Sequence, residues 1–303
     1  MRAAFTRALV LRAQDPDFVF LTGDVGFMAL EPLRDAAKDR FINAGIAEQN
    51  MVSVAAGLAR VGLRPWVYSI APFLYARAFE QIRNDICMHD LPVVLVGNGG
   101  GYAYGVMGPT HHALEDYGTL LGLPNLTAYV PAFAEDVCHA VARLMTAARP
   151  AYLRLGRDEK PMDLVLPTYA PWRPMMSGPG ATIVVVGPLA GGILAAVRTL
   201  PESHRPSLWI LSELPVLPQE IPAAFVAEVE RSGHLIVVEE HVAQGSVGAS
   251  LAHVLLCAGT SPRRFTHRFA RGYPSGHYGS QLYHRQESGL DPASIVRLLT
   301  NTP

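Results

Sequence analysis

The chain alternates short runs of β-branched and aromatic residues with longer stretches whose apolar residues recur at helical spacing. Five runs precede residue 156 and three follow residue 180: FVFLTG, RPWVYSI, PVVLVG, LTAYV and AYLRL, then ATIVVVG, SLWIL and HLIVVEE. Helix-period apolar positions extend from Pro72 to Met88 and from Ala134 to Ala148, the latter after Pro131. This alternation is typical of a parallel, doubly wound α/β sheet.

Two α/β domains joined by a proline-rich linker are predicted. Residues 1–165 contain the first group of strands and residues 181–303 contain a second, smaller group. Residues 166–180, between them, show neither the helical nor the strand period. At 303 residues, of which 50% are hydrophobic, the chain is long enough for two cores. The predicted fold class is therefore α/β, with two doubly wound domains.

The charge of the chain excludes several kinds of partner. Its 25 basic and 26 acidic side chains give a formal net charge of −1, so neither nucleic acid nor a membrane surface is expected. Arg7 and Arg12 interrupt the first apolar residues before a signal-peptide core could form, and no later run reaches ~18 apolar residues. We expect a cytoplasmic protein whose partners are small molecules or other proteins.

The glycine clusters and the paired histidines do not form recognised ligand motifs. Residues 97–105 (GNGGGYAYG) lack both the ending of a phosphate loop and the spacing of a dinucleotide fingerprint, so a tight turn is favoured. His111 and His112 cannot easily share a metal because they are adjacent, so this chain is expected to bind none by itself. Thr110 is expected to cap a helix that carries both histidines in its first turn.

One carboxylate has an unusual position, in the segment FINAGIAEQNMVSVAAGLA. Glu48 lies between a short apolar strand and a helix of small residues, and Ile42, Ile46 and Met51 are expected to form an apolar wall around it. A carboxylate in the first turn of a helix is most often a capping or dipole residue. In an apolar setting it could instead share or donate a proton near neutral pH, as a general acid does. The residues alone leave both interpretations open.

Four segments follow one another along the first half of the chain: FINAGIAEQNM (41–51), SIAPFLYARAFEQIRND (69–85), GPTHHALEDYGTLLGLPNLTAYVPA (108–132) and YLRLGRDEKP (152–161). In order and spacing they resemble the pyrimidine-binding domain of the transketolase family. The segments ATIVVVG and HLIVVEEHVAQGSVGASL resemble the carboxyl-terminal domain of that family more loosely. The resemblance implies thiamine diphosphate as cofactor and transfer of a two-carbon ketol or acyl unit from a ketose or 2-oxo donor to an aldehyde or ketone.

The resemblance also implies roles for individual residues near the cofactor. Glu48 matches the glutamate that hydrogen-bonds the aminopyrimidine ring of thiamine diphosphate and promotes its tautomerisation. Phe73 matches the aromatic residue that stacks on this ring, and Asp24 matches an aspartate near the cofactor. His111 matches a residue that donates hydrogen bonds to the oxygens of donor and acceptor.

At the substrate end, Arg157 matches the arginine that binds the acceptor's phosphate, a role that suits a forked guanidinium. Other positions differ from the family. Gly99 stands where the family usually has a histidine, Met107 where it has an aspartate, and Met28 where it has a serine. Met28 and Met107 are therefore expected to line a less polar substrate channel, which favours a modified, less charged or bulkier acceptor.

The family binds the diphosphate and its metal through a GDG motif followed, roughly 25 to 30 residues later, by an asparagine that adds an oxygen ligand. The GDVG sequence at residues 23–26 has no such asparagine partner. The resemblance therefore implies the carboxyl-terminal, or beta, subunit of a split transketolase. An N-terminal alpha subunit would hold the diphosphate with Mg²⁺ or Ca²⁺, in an α2β2 assembly. The alternatives are the beta subunit of a 2-oxo acid dehydrogenase and a noncatalytic binding or scaffolding relative.

Overall fold

The structure is a computed structural model that describes residues 1–301. The strands are β1 (Phe18–Thr22), β2 (Phe41–Asn43), β3 (Arg64–Ile70), β4 (Val94–Asn98), β5 (Thr127–Tyr129), β6 (Ala151–Leu155), β7 (Trp172–Met176), β8 (Thr182–Val186), β9 (Ser207–Leu211), β10 (Glu213–Leu214), β11 (His234–Glu239) and β12 (Arg264–Arg268). The α-helices are α1 (Arg2–Val10), α2 (Glu31–Ala37), α3 (Glu48–Arg60), α4 (Ala71–Tyr75), α5 (Phe79–Gln81), α6 (Asp116–Leu120), α7 (Ala134–Leu144), α8 (Leu189–Val197), α9 (Ala223–Ser232), α10 (Val247–Cys257), α11 (Gln281–Ser288) and α12 (Pro292–Thr300). Short 3-10 helices cover Lys38–Arg40, Gly105–Met107, Glu202–His204 and Pro218–Glu220.

The strands form two sheets within the described residues. The first has seven strands in the order β10-β5-β6-β4-β3-β1-β2, and the second has five in the order β12-β11-β8-β9-β7. Pairing is parallel throughout except for β10 on β5 and β7 on β9. All eight apolar runs singled out from the sequence are strands. The predicted α/β fold is therefore confirmed.

Each sheet has apolar layers on both faces, because successive side chains of a strand point in opposite directions. In β1, Val19 and Leu21 join one apolar cluster, whereas Phe18 and Phe20 join another. The cluster that contains Val19 also includes Val184 of β8 and side chains of β9 and β11. One apolar core is therefore continuous between the first and second sheets.

The segment suggested as a linker contains an ordered strand. Residues 166–180 include β7, which pairs antiparallel with β9 at the edge of the second sheet. Pro174 lies in β7 beside a register shift, and an edge strand with a bulge tolerates proline. The missing strand period of this segment therefore reflects an irregular edge strand. The boundaries at 165 and 181 stay a prediction.

The second half of the chain also contributes directly to the first sheet. Glu213 and Leu214 of β10 pair with Tyr129 and Ala128 of β5, which extends the first sheet by one strand. No helix within residues 1–301 has the length and apolar character needed to cross a lipid bilayer.

Residues 72–88, predicted as a single helix, are divided in the structure. They form α4, α5 and a π-helix at Ile82–Cys87, with a break at residues 76–78. The prediction of one continuous helix is wrong because, over so few residues, the apolar period does not distinguish regular α-helical turns from a segment with i+5 hydrogen bonds. The predicted helix at Ala134 is present, but it ends at Leu144 rather than Ala148.

A buried ion pair fixes the edge of the first sheet against the second half. The Arg154 and Asp116 side chains are 4% and 0% exposed, and Arg154 Nε lies 2.8 Å from Asp116 Oδ2. Tyr152 Oη also donates to Asp116 Oδ2, at 2.8 Å. Arg154 Nη2 donates to the carbonyl oxygens of Ala113 and Glu240, at 2.8 and 3.0 Å.

We predict that Asp116→Ala strongly destabilises the fold, because it leaves a buried guanidinium without its carboxylate. The expected fall in the free energy of unfolding is about 3–5 kcal/mol, measured by urea denaturation. The matched control is Asp35→Ala, which breaks the exposed Arg34–Asp35 pair and is expected to change stability by less than about 0.5 kcal/mol. Equal losses for both variants would contradict the structural role of the buried pair.

Candidate active site

The residues singled out from the sequence follow the carboxyl ends of strands in the first sheet. Along the chain, Asp24 and Met28 follow β1, Glu48 follows β2, Phe73 follows β3, Met107 and His111 follow β4, and Arg157 follows β6. These five strands are parallel neighbours, so their carboxyl ends meet at one edge of the sheet. Ligands of open α/β sheets bind at this edge, and we refer to it as the carboxyl edge.

Glu48 is the first residue of α3 and is 2% exposed. The N–H groups at a helix N-terminus favour an anion there, and a buried charge also needs a partner. Arg77 supplies one, since its Nη1 donates a hydrogen bond to Glu48 Oε2 at 2.8 Å. The expectation of a purely apolar wall is therefore wrong. Met51 is buried, but Ile46 is largely exposed and a cation faces the carboxylate.

Phe73 and His111 continue this group of side chains. The Arg77 Cζ atom lies 4.5 Å from the centroid of the Phe73 ring, a cation–π distance. The Phe73 and His111 rings meet edge to face, with centroids 5.1 Å apart. Glu48, Arg77, Phe73 and His111 therefore form one contiguous group, and Arg77 is the member that the sequence analysis missed.

The helix expected around the two histidines begins later than predicted. Helix α6 starts at Asp116, and the residues before it form turns. Thr110 does not cap a helix. Its Oγ1 lies 2.9 Å from Nδ1 of His111, and this hydrogen bond orients the imidazole.

The neighbouring histidine anchors the same loop to the second half of the chain. His112 Nε2 lies 2.8 Å from the carbonyl oxygen of Gly105, so Nε2 is the donor there. His112 Nδ1 then accepts a hydrogen bond from Tyr273 Oη, at 2.7 Å. Burial lowers the pKa of His112, which favours this neutral form. The loop that carries His111 is thus held in place by Tyr273.

Tyr104 occupies the space next to Gly99, where the family usually has a histidine. A Cβ atom built on Gly99 would lie 2.1 Å from Tyr104 Cε2, and Gly99 has a φ of +81°. Asn98 Nδ2 donates to Tyr104 Oη at 2.8 Å, and the Tyr104 ring lies 5.7 Å from that of His111. Burial raises the pKa of Tyr104, so its hydroxyl is retained. A glycine followed by an aromatic residue after β4 was the available sequence signal.

Arg157 lies on the far side of Tyr104 from His111. A cavity of about 370 Å³ is lined by Arg157, Arg2, Asn98, Gly99 and Tyr104, among others. Two guanidinium groups therefore reach a cavity next to the contiguous group. Such a pair suits an anionic substituent, because arginine binds phosphate and carboxylate groups through two parallel N–H bonds.

Asp24 lies beside Glu48, whereas Met28 belongs to a different cavity. The Asp24 N–H donates to Asn43 Oδ1 at 3.0 Å, and Asn43 Nδ2 donates back to Asp24 Oδ1 at 3.1 Å. Gly23 is close enough to Glu48 that a Cβ on it would lie 3.8 Å from Glu48 Cγ. Met28 instead lines an apolar cavity of about 830 Å³ together with residues of α1 and α7.

Comparison with known proteins identifies the family of this chain. Residues 1–162 match the family described as transketolase, pyrimidine binding domain. One subunit of the apulose-4-phosphate transketolase from Phocaeicola vulgatus is 31% identical over 263 residues, which are 84% of this chain and 83% of that protein. The chain belongs to the transketolase family, which confirms the resemblance of the four motifs. Membership of this family implies the use of thiamine diphosphate.

Two further relatives differ in how much of their length this chain covers. The 1-deoxy-D-xylulose-5-phosphate synthase 2 of Geobacter sulfurreducens is 32% identical over 96% of this chain but only 45% of its own length. A solved structure described as a split gene transketolase, inactive beta4 tetramer, superposes with a TM-score of 0.81 at 28% identity, covering 99% of this chain and 96% of that one. This chain thus spans most of the apulose-4-phosphate transketolase subunit and of the split-gene protein, and less than half of the synthase.

We predict that Gly99→Ala destabilises the protein through two effects. The positive φ costs about 1–2 kcal/mol for a residue with a Cβ, and displacing the Tyr104 ring adds about 1–3 kcal/mol. Gly62→Ala is the matched control, since Gly62 has a φ of +93° but open space around its Cβ position. Urea denaturation should show a larger loss for Gly99→Ala, and adding Tyr104→Ala should remove part of the difference. Equal losses at both glycines would contradict the close contact with Tyr104.

Proposed function

We propose that this chain is the beta subunit of a split, thiamine-diphosphate-dependent transketolase-like enzyme. It would transfer a two-carbon ketol or acyl unit from a ketose or 2-oxo donor to an aldehyde or ketone acceptor, and only together with an alpha subunit. The observation that carries this proposal is the buried Glu48 carboxylate, which lies at the carboxyl edge next to Phe73 and His111.

The residues present fit the aminopyrimidine end of thiamine diphosphate. The planar Arg77 guanidinium lies over the Phe73 ring and donates an N–H to Glu48, so a planar group with nitrogen atoms can satisfy both residues. When bound, the cofactor supplies the carbon that carries the transferred two-carbon unit. Glu48 would hold the pyrimidine ring and exchange a proton with its ring nitrogen, and Phe73 would stack on it. Asp24 would lie near the cofactor, on the loop that adjoins Glu48.

The remaining residues suit a sugar-like substrate. His111 would donate hydrogen bonds to the oxygens of donor and acceptor, with its ring held by Thr110. Arg157, supported by Arg2, would bind an anionic group at the far end of the acceptor. Met107 would make the entrance less polar. Met28, which lines a separate cavity, would contribute at most to the rim of the site.

The site is proposed to be completed by an alpha subunit in an α2β2 assembly. Within residues 1–301 no group of three or more His, Cys, Asp or Glu side chains is gathered as a metal site would require. The diphosphate and its Mg²⁺ or Ca²⁺ would therefore be bound by the partner. Large apolar side chains that are 53–83% exposed follow the carboxyl ends of β1, β2 and β4, which is the character of an interaction surface: Phe27, Met28, Ile46, Val106 and Met107. The apulose-4-phosphate transketolase relative, itself one subunit of its enzyme, and the split-gene neighbour support the same arrangement.

We predict that Glu48→Ala abolishes most of the turnover of the reconstituted complex without preventing its assembly. Loss of a proton-exchanging group lowers the rate by about 10²–10⁴-fold. Glu80→Ala, which removes an exposed glutamate of α5, is the matched control and should keep full activity. Turnover is measured with thiamine diphosphate, the metal and a panel of ketose donors and aldose acceptors. Unchanged turnover in Glu48→Ala would refute the role of Glu48.

The same assay separates the alternative functions. Transfer to a lipoyl domain rather than to an aldose would identify a 2-oxo acid dehydrogenase subunit. A complex that contains both subunits and the cofactor but turns over no donor would support a noncatalytic relative.

We predict that Ile46→Arg weakens association with the alpha subunit, because it places a charge in the apolar surface at the N-terminus of α3. Val61→Arg is the matched control, since Val61 is 76% exposed and Ile46 is 79% exposed, but Val61 lies at the opposite end of α3. The native partner is first identified by co-purification and mass spectrometry. Association of the two purified chains is then measured by sedimentation velocity. Equal association by both variants would place the interface elsewhere.

A further inference from the structure

Arg77 lies in the middle of the candidate site but has no role in the reaction proposed above. It is in the short break between α4 and α5, and its side chain is 44% exposed. Its guanidinium makes two contacts inward, a 2.8 Å hydrogen bond to Glu48 Oε2 and a stacking contact 4.5 Å from the Phe73 centroid. The head group is therefore inside the site, while the side chain retains access to solvent.

These two contacts are the ones that the proposed function assigns to the aminopyrimidine ring. Both groups are planar, both carry N–H donors or ring nitrogens that a carboxylate can bind, and both stack on an aromatic face. The carboxylate of Glu48 and the face of Phe73 are each occupied by Arg77 in this structure. The two groups would therefore compete for the same place.

We propose that Arg77 is a placeholder for the aminopyrimidine ring, and that it leaves the space between Glu48 and Phe73 when the cofactor binds. This inference rests on the proposed function. Before binding, Arg77 neutralises a carboxylate that is almost fully buried and would otherwise lack a cationic partner. After binding, the ring takes over that contact and the guanidinium moves towards solvent.

The local backbone makes this exchange inexpensive. Residues 76–78 belong to neither α4 nor α5, so rotation of the Arg77 side chain disrupts no helix in the described structure. An ion pair with one largely accessible partner also contributes little to stability. Arg77 should therefore lower the affinity for the cofactor without blocking its entry.

The test measures binding of thiamine diphosphate to the complex of both subunits by isothermal titration calorimetry. Arg77→Met removes the competing group, and we expect the dissociation constant for thiamine diphosphate to fall by about three- to tenfold. Arg77→Lys keeps a positive charge near Glu48 but loses the planar group, so an intermediate value is expected. Arg83→Met is the matched control, because Arg83 is exposed and bonds to Asn84, and it should bind like the unmodified chain.

A second ligand distinguishes competition from a general change in the site. Thiazole diphosphate, which lacks the aminopyrimidine ring, does not compete with Arg77, so its affinity should be the same in Arg77→Met and in the unmodified complex. An equal change for both ligands, or unchanged or weaker binding of thiamine diphosphate by Arg77→Met, would overturn the placeholder role. If Arg77→Met fails to fold, judged by circular dichroism, Arg77→Lys gives the same decision. An unmodified complex that binds no thiamine diphosphate would refute the proposed function itself, and the placeholder with it.

Discussion

The burial of Glu48 is the physical constraint on which the candidate site depends. A carboxylate that is 2% exposed has lost most of its hydration, and its charge is tolerated only where donors or cations replace the water. The N-terminus of α3 provides part of this compensation, and Arg77 provides the rest. Any ligand that displaces Arg77 must bind the carboxylate in its place. The site therefore selects a planar group with nitrogen donors over an apolar one.

The second half of the chain holds the loop that carries the other candidate residues. Glu240 accepts hydrogen bonds from the Tyr102 N–H at 2.6 Å and from Arg285 Nε at 2.7 Å. Tyr273 bonds His112 in the same loop. Because these contacts are buried, the loop between β4 and α6 cannot shift without breaking hydrogen bonds that water does not replace. The positions of Tyr104 and His111 thus depend on residues that are more than a hundred positions away in sequence.

The sequence predicted the strands and the edge of the sheet where the candidate residues meet, because every buried parallel strand leaves a compact apolar run. It did not predict Arg77 as a partner of Glu48, since their contact depends on the break between α4 and α5 and joins residues 29 positions apart. Tyr104 was missed for a related reason. Its place is set by the missing side chain of Gly99, and only the folded loop brings the two residues together. The strand β7 was interpreted as linker because Pro174 and a bulge obscure its period.

A site divided between two chains has a requirement that an undivided site lacks. Each chain must fold and remain stable with its own part of the site incomplete, so a charged group meant for a shared ligand needs compensation from its own chain. In this protein the carboxylate meets that requirement through Arg77, which comes from a neighbouring loop and keeps access to solvent. A permanently buried cation would satisfy Glu48 equally well but could not leave. A partner that is 44% exposed can do both, and this explains why a cation that opposes ligand entry lies within a ligand site.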